Sequence, residues 1–141
     1  MTTVAWTVAD LEGNTVGLFS RRIGANGRLG PTVDIKPEGS RARDLRVASA
    51  ANGRTLVLWR SDDTLVSWVE ARAIDAAGNL GKVLQLTPSR GGYFNIALAA
   101  RADGSFDAVW RNTTGVIPIT QAVRVSPRST VAAPINLGNP V

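Results

Sequence analysis

Apolar and polar residues alternate along short runs of this chain, and the runs return at a fixed interval. Residues 45–50, Leu-Arg-Val-Ala-Ser-Ala, and residues 55–60, Thr-Leu-Val-Leu-Trp-Arg, flank Ala51-Asn52-Gly53. That pattern predicts two strands joined by a tight turn of the Asn-Gly type. A polar loop, Ser61-Asp62-Asp63-Thr64, leads to a third strand at about 66–74. The turn at 75–81, Asp-Ala-Ala-Gly-Asn-Leu-Gly, leads to a fourth at 83–87. A shift of 51 residues lays like on like: Ile35, Leu86 and Leu137; Ile23, Ile74 and Val125; Trp59 and Trp110; Gly53 and Gly104. The later copy predicts strands near 96–102, 106–111, 117–125 and 131–137, with its first turn at Asp103-Gly104. The earlier copy predicts strands at 4–9, 16–23 and 32–36, and Gly24 to Gly30 match the turn at 75–81. Its first strand has no counterpart, because Met1 lies a few residues before the strand of Trp6. No long stretch keeps a 3.6-residue apolar period, so no helix is expected.

A self-match of this length, carried on four short strands, predicts an all-β fold of β-propeller blades, each four antiparallel strands. A β-sandwich would show similar strands without the repeat, and a β-helix has a much shorter period. The boundaries place blade 1 at about 1–37, blade 2 at about 44–88 and blade 3 at about 95–138, one segment over 1–141. The turn Ile-x-x-x-Gly-x-Leu-Gly and the strand ending in Trp resemble the blade repeats of bacterial secreted β-propeller proteins. The resemblance covers nearly the whole chain and implies a fold, not a chemistry. About 2.75 blades do not close a ring of four to eight. Each blade buries its faces only against neighbours, so faces bearing residues such as Leu56, Leu58, Val109 and Trp110 need cover. The expectation is a homo-oligomer, most simply a six-bladed dimer, because two half-rings have two equivalent junctions.

The composition changes the chemistry more than the fold. The chain has no Cys and no His. Disulfides, thiol nucleophiles, Cys-based metal sites and Ser–His hydrolysis are therefore excluded. Neither a cofactor nor a metal site is expected; Asp62-Asp63 lacks the ligand series of a calcium loop. The net charge of +5 is carried by 14 Arg against 2 Lys. Arginine suits carboxylates and phosphates, so a glycan or other anionic polymer is a candidate partner beside the chain itself. No run of five or six basic residues supports a nucleic-acid tail. No apolar run approaches a membrane span, and a processed secreted protein would look the same.

In alternating strands, the loops joining strands two to three and those joining blade to blade lie at one end. The tight Gly turns lie at the other. The first set is the richer: Asp10, Glu12 and Asn14; Ser61, Asp62 and Asp63; Asn112, Thr113 and Thr114; Glu38, Arg41, Arg43 and Asp44; and Ser89, Arg90, Gly91, Gly92, Tyr93 and Asn95. Binding residues concentrate on loops held by a rigid scaffold. The candidate ligand-binding residues are Trp68, Tyr93, Arg60, Arg111, Asp62 and Arg90. Trp68 lacks an aromatic at the equivalent positions Gly17 and Ile119. Tyr93, the one tyrosine, offers a ring or a hydroxyl to a sugar, or anchors its loop. Arg60 and Arg111 follow the repeated tryptophans and form either a repeated anion site or pairs with Asp62 and Asp107.

The expected function is a non-enzymatic binding or scaffold module. One alternative is a fragment or engineered half-propeller with no natural ligand. Another is a glycosidase-type enzyme using two of Asp10, Glu12, Asp62 and Asp63. The Asp-box pattern of sialidase propellers is not reproduced around Asp103-Gly104-Ser105 and Trp110.

Overall fold

The computed structural model describes residues 1–36 and 41–138, and the described residues form strands and no helix. Eleven strands make three antiparallel sheets in chain order. The first sheet is β1 (Thr2–Ala9), β2 (Thr15–Ile23) and β3 (Leu29–Asp34). The second is β4 (Arg41–Ser49), β5 (Thr55–Asp62), β6 (Ser67–Ile74) and β7 (Leu80–Gln85). The third is β8 (Tyr93–Ala100), β9 (Phe106–Asn112), β10 (Ile119–Val125) and β11 (Ile135–Gly138). Every pairing is a meander, so each copy of the repeat is one sheet. The copies superpose in register as well as in sequence. Trp6, Trp59 and Trp110 stand directly across the ladder from Phe19, Glu70 and Gln121.

Two features differ from the sequence expectation. β4 and β8 begin earlier than the alternation suggests, at Arg41 and Tyr93, and each carries a register shift. The shift falls at Asp44 and at Asn95, 51 residues apart, and both have φ of +54°. Asp and Asn enter this left-handed region more readily than other non-glycine residues, which suits them to these two bulges. The second difference lies in the turns. Ala50 N–H donates to Arg54 O at 2.8 Å and Gly53 N–H to Ala50 O at 2.9 Å. Gly53 alone of the loop takes positive φ, at +81°. This is a three-residue loop closed by a left-handed glycine, not a two-residue Asn-Gly turn. Asn52 Oδ1 accepts Arg54 N–H at 3.0 Å and fixes the loop.

The sheets stack, with β1 beside β4 and β4 beside β8. Strand alternation gives each sheet two faces. Leu18 and Ile35 of the first sheet meet Ala42, Val57, Trp59 and Ile74 of the second in one cluster. The opposite face of the second sheet, with Leu56, Leu58, Val69, Ala71 and Leu84, meets Ile96, Phe106, Ala108, Trp110 and Val123 of the third. Trp59 and Trp110 are fully buried, one in each junction. Full burial of such side chains is worth about 3–5 kcal/mol each against alanine. At the two ends of the stack a face stays open. On the first sheet it carries Val4 and Val8, at 42% and 40% exposed, beside half-buried Trp6 and Phe19. On the third it carries Ile135 and Leu137, at 60% and 55% exposed, beside half-buried Val109.

Candidate functional site

The connections after β5, after β7 and after β9 meet at one end of the second and third sheets. Ser67 and Gly91 exchange backbone hydrogen bonds of 2.6 and 2.8 Å, and Thr113 N–H donates to Gly92 O at 2.7 Å. Ser67 Oγ accepts Tyr93 N–H at 2.8 Å. The segments approach so closely that a Cβ on Gly91 would stand 2.3 Å from Thr114 Oγ1, and one on Gly92 2.3 Å from Thr113 Oγ1. Two glycines are therefore what lets three connections share one surface.

Between them lies an open depression of about 170 Å³, lined by Arg60, Asp62, Asp63, Leu65, Ser67, Gly92 and Phe94 among others. It is smaller than the usual drug-sized ligand pocket and more open. Its electrostatics are a set of crossed pairs. Arg60 Nε is 2.8 Å from Asp44 Oδ2, and its guanidinium lies 5.0 Å from the Phe94 ring centroid. Arg43 Nε is 2.9 Å from Asp62 Oδ2, leaving Asp62 Oδ1 buried without a protein partner. Arg90 lies over the Trp68 ring at 4.1 Å from its centroid and 3.8 Å from Asp63. Cation–π stacking of this kind contributes on the order of 0.5–2 kcal/mol, more when desolvated. Asp63 Oδ1 accepts the backbone N–H groups of Leu65 at 3.0 Å and Val66 at 3.1 Å. Those bonds, and secondarily Arg90, hold its carboxyl below the usual carboxylate range. A carboxyl so held remains an anion at neutral pH and does not serve as a general acid.

Of the six candidate residues, four meet here. Arg60 and Asp62 line the depression, and Trp68 and Arg90 form a stacked pair beside it. Trp68 is 8% exposed, its ring covered in part by Arg90. Tyr93 opens β8 instead of sitting in a loop. It is 1% exposed, edge-on to Trp110 at 6.4 Å, with its hydroxyl 3.4 Å from Ser89 Oγ. Tyr93 is thus a core side chain. Arg111 is exposed on β9, across the ladder from Phe94 but not itself lining the depression, and makes no ion pair among the described residues. Neither expected Arg–Asp pair forms: Arg60 takes Asp44, and Asp107 takes Arg101 and Arg124. The reason is cross-strand geometry, since the bulge at Asp44 turns its carboxylate toward Arg60. Glu38 lies outside the described residues.

Phe94 is not singled out by sequence, and Asp44 stands only among the loop residues of that face, not among the six candidates. Phe94 stands where the preceding copy has Arg43, so the repeat does not mark it. The arrangement offers an exposed aromatic edge, guanidinium donors and one unpartnered carboxylate oxygen. It suits a polar, polyhydroxylated or anionic group. No family model, curated protein or solved structure compared with this chain gives a match.

Proposed function

We propose that this chain is a non-enzymatic binding or scaffold module, a sector of a β-propeller whose three sheets are successive blades. The ring is completed by self-association, most simply as six blades from two copies. The observation that carries the reading is the directionality of the stack. Each sheet offers one face to the sheet before it and the opposite face to the sheet after it, and one face of each kind stays open at the ends. Open apolar faces of this sort mark association surfaces. Solution mass by light scattering tests it. An oligomer that dissociates on dilution is the expected result, and a monomer at every concentration would sink it.

The depression bounded by Arg60, Asp62, Phe94 and the Trp68–Arg90 stack is the candidate ligand site, and a carbohydrate or anionic polymer is the class it suits. Arg60 and Arg90 supply donors, and Phe94 supplies a stacking edge. The absence of His and Cys, with Asp63 held ionised, favours binding over hydrolysis. A glycan array carrying neutral, uronic and sulfated sugars tests this arm. Binding should weaken about tenfold in Arg60→Ala and Arg90→Ala and should fall with salt. An array that is blank, or a signal indifferent to both substitutions, removes this site.

A further inference from the structure

The junction between the first and second sheets is held by two arginines as well as by apolar contact. Arg22 of β2 reaches forward: Nη1 donates to Ala76 O at 2.7 Å and Nη2 to Asp75 O, both in the turn after β6. Arg72 of β6 reaches back: Nε donates to Gly81 O at 2.6 Å within its own sheet, and Nη1 to Ile35 O of the first sheet at 3.2 Å. The next junction lacks both. Ala73 and Val123 stand at the equivalent positions, and Arg54 crosses instead, donating to Gly104 O at 3.1 Å and Ser129 Oγ at 2.7 Å.

Both missing arginines reappear on the open faces. Arg124, 102 residues after Arg22, stands on the open face of the third sheet, with its side chain 53% exposed. Arg21, 51 residues before Arg72, stands on the open face of the first. Arg21 is already set in the orientation the junction uses, and Arg124 keeps one terminal nitrogen free. Arg21 Nε donates to Gly30 O at 2.6 Å, just as Arg72 Nε does to Gly81 O. Asp107 engages Nε and Nη2 of Arg124 at 2.8 and 3.4 Å, which leaves Nη1 for another acceptor.

We propose that a second copy docks head-to-tail, its first sheet on the open third sheet, with Arg124 donating to the Gly24 and Ala25 carbonyls of the second copy and Arg21 of the second copy donating to the Leu137 carbonyl. Gly24 and Ala25 are the counterparts of Asp75 and Ala76, and Leu137 is the counterpart of Ile35. The open faces thus reproduce the first junction and not the second. A charged donor on a backbone carbonyl fixes register more sharply than apolar contact alone, because a slip of one residue strands the guanidinium. This pairing rests on the self-association proposed above, and the experiment separates the two.

Analytical ultracentrifugation of wild type, Arg21→Ala, Arg124→Ala and the exposed control Lys82→Ala tests the pairing. Each arginine variant should weaken association about tenfold, equal to about 1.4 kcal/mol, while Lys82→Ala and the far-ultraviolet dichroism stay unchanged. Arg21 and Arg124 donate to different carbonyls of one junction, so the double variant should associate more weakly than either single variant. A wild type that is monomeric throughout overturns self-association and the pairing with it. A wild type that associates, with the arginine variants as tight as wild type or the double variant no weaker than the single ones, overturns this pairing and leaves self-association standing.

Discussion

Arg54 donates to Ser129 Oγ at 2.7 Å across the junction of the second and third sheets. Ser129 occupies the position of Gly27 and Gly78 in the earlier copies and takes their left-handed backbone, with φ of +62° against +77° and +97°. A serine there carries a steric penalty that glycine avoids. It also supplies an acceptor to an arginine that is 8% exposed, whose burial pushes the guanidinium below its usual value. The two effects separate in a pair of variants. Ser129→Ala loses the acceptor and keeps the strain, at a cost of about 1.5–3 kcal/mol. Ser129→Gly loses the same acceptor but relieves the strain, so it should be more stable than Ser129→Ala by about 1 kcal/mol. Urea midpoints measure the difference; equal midpoints would show that the serine backbone is unstrained.

Trp59 donates its indole N–H to Glu70 Oε2 at 3.2 Å and to Ser61 Oγ at 3.0 Å. In the next copy Trp110 donates to Gln121 Oε1 at 3.3 Å. The neutral amide already does this work at the equivalent place. Glu70→Gln should therefore change stability by no more than about 0.5 kcal/mol. Glu70→Ala also strands Ser61 Oγ, which donates to Glu70 at 2.5 Å, and should cost about 1–2 kcal/mol. If Glu70→Gln proves as costly as Glu70→Ala in denaturant unfolding, the charge matters and the equivalence is wrong.

How far these contacts are legible in the sequence depends on whether the repeat carries them. The strands around Trp59 and Trp110 follow from alternation and spacing, because a half-buried ladder demands both. The bulges at Asp44 and Asn95 leave only a faint mark: two residues tolerant of positive φ, 51 apart, that alternation assigns to loops. Tyr93 is misplaced for that reason, since the strand before a bulge breaks the period-two pattern. The Arg60–Asp44 and Arg43–Asp62 pairs are not legible at all, because cross-strand partners depend on where the bulge turns each side chain. The loop end of the sheets was legible in outline from strand direction; its aromatic member, Phe94, was not.

Stability against pH should be flat over much of the range and fall on the acid side. With no His and no Cys, no side chain of ordinary pKa titrates between about pH 5 and 8. Asp10, Asp63, Asp75, Asp103 and Asp107 are all held below the usual carboxylate value. For Asp75 the largest cause is the Asn79 side chain, and for Asp107 the Arg124 guanidinium. A carboxyl depressed in the folded state contributes stability that is present above its unfolded pKa, about 3.9, and is lost as pH falls through the folded value. The melting temperature should thus hold steady down to about pH 5 and decline below about pH 4. Asp75→Asn should be less stable at neutral pH and show a shallower acid decline. A decline centred between pH 5 and 7 would contradict this account.

Trp6 sits where Trp59 and Trp110 sit in the later copies, yet it is only half-buried, its ring 6.1 Å from that of Phe19 on the open face of the first sheet. Interior counterparts show what cover would do: Trp59 is fully buried against the neighbouring sheet. Trp59→Ala should cost about 3–5 kcal/mol at any protein concentration. Trp6→Ala should cost far less in dilute solution, since little contact is lost there. If the open faces pair, association draws on folded chains alone and the melting temperature of the wild type rises with concentration. A hundredfold rise in concentration should raise it by a few degrees, on the order of 2–6 °C, and Trp6→Ala should flatten that slope. Calorimetry across a dilution series measures both. A melting temperature independent of concentration in the wild type, or an unchanged slope in Trp6→Ala, would show that this face stays open in solution.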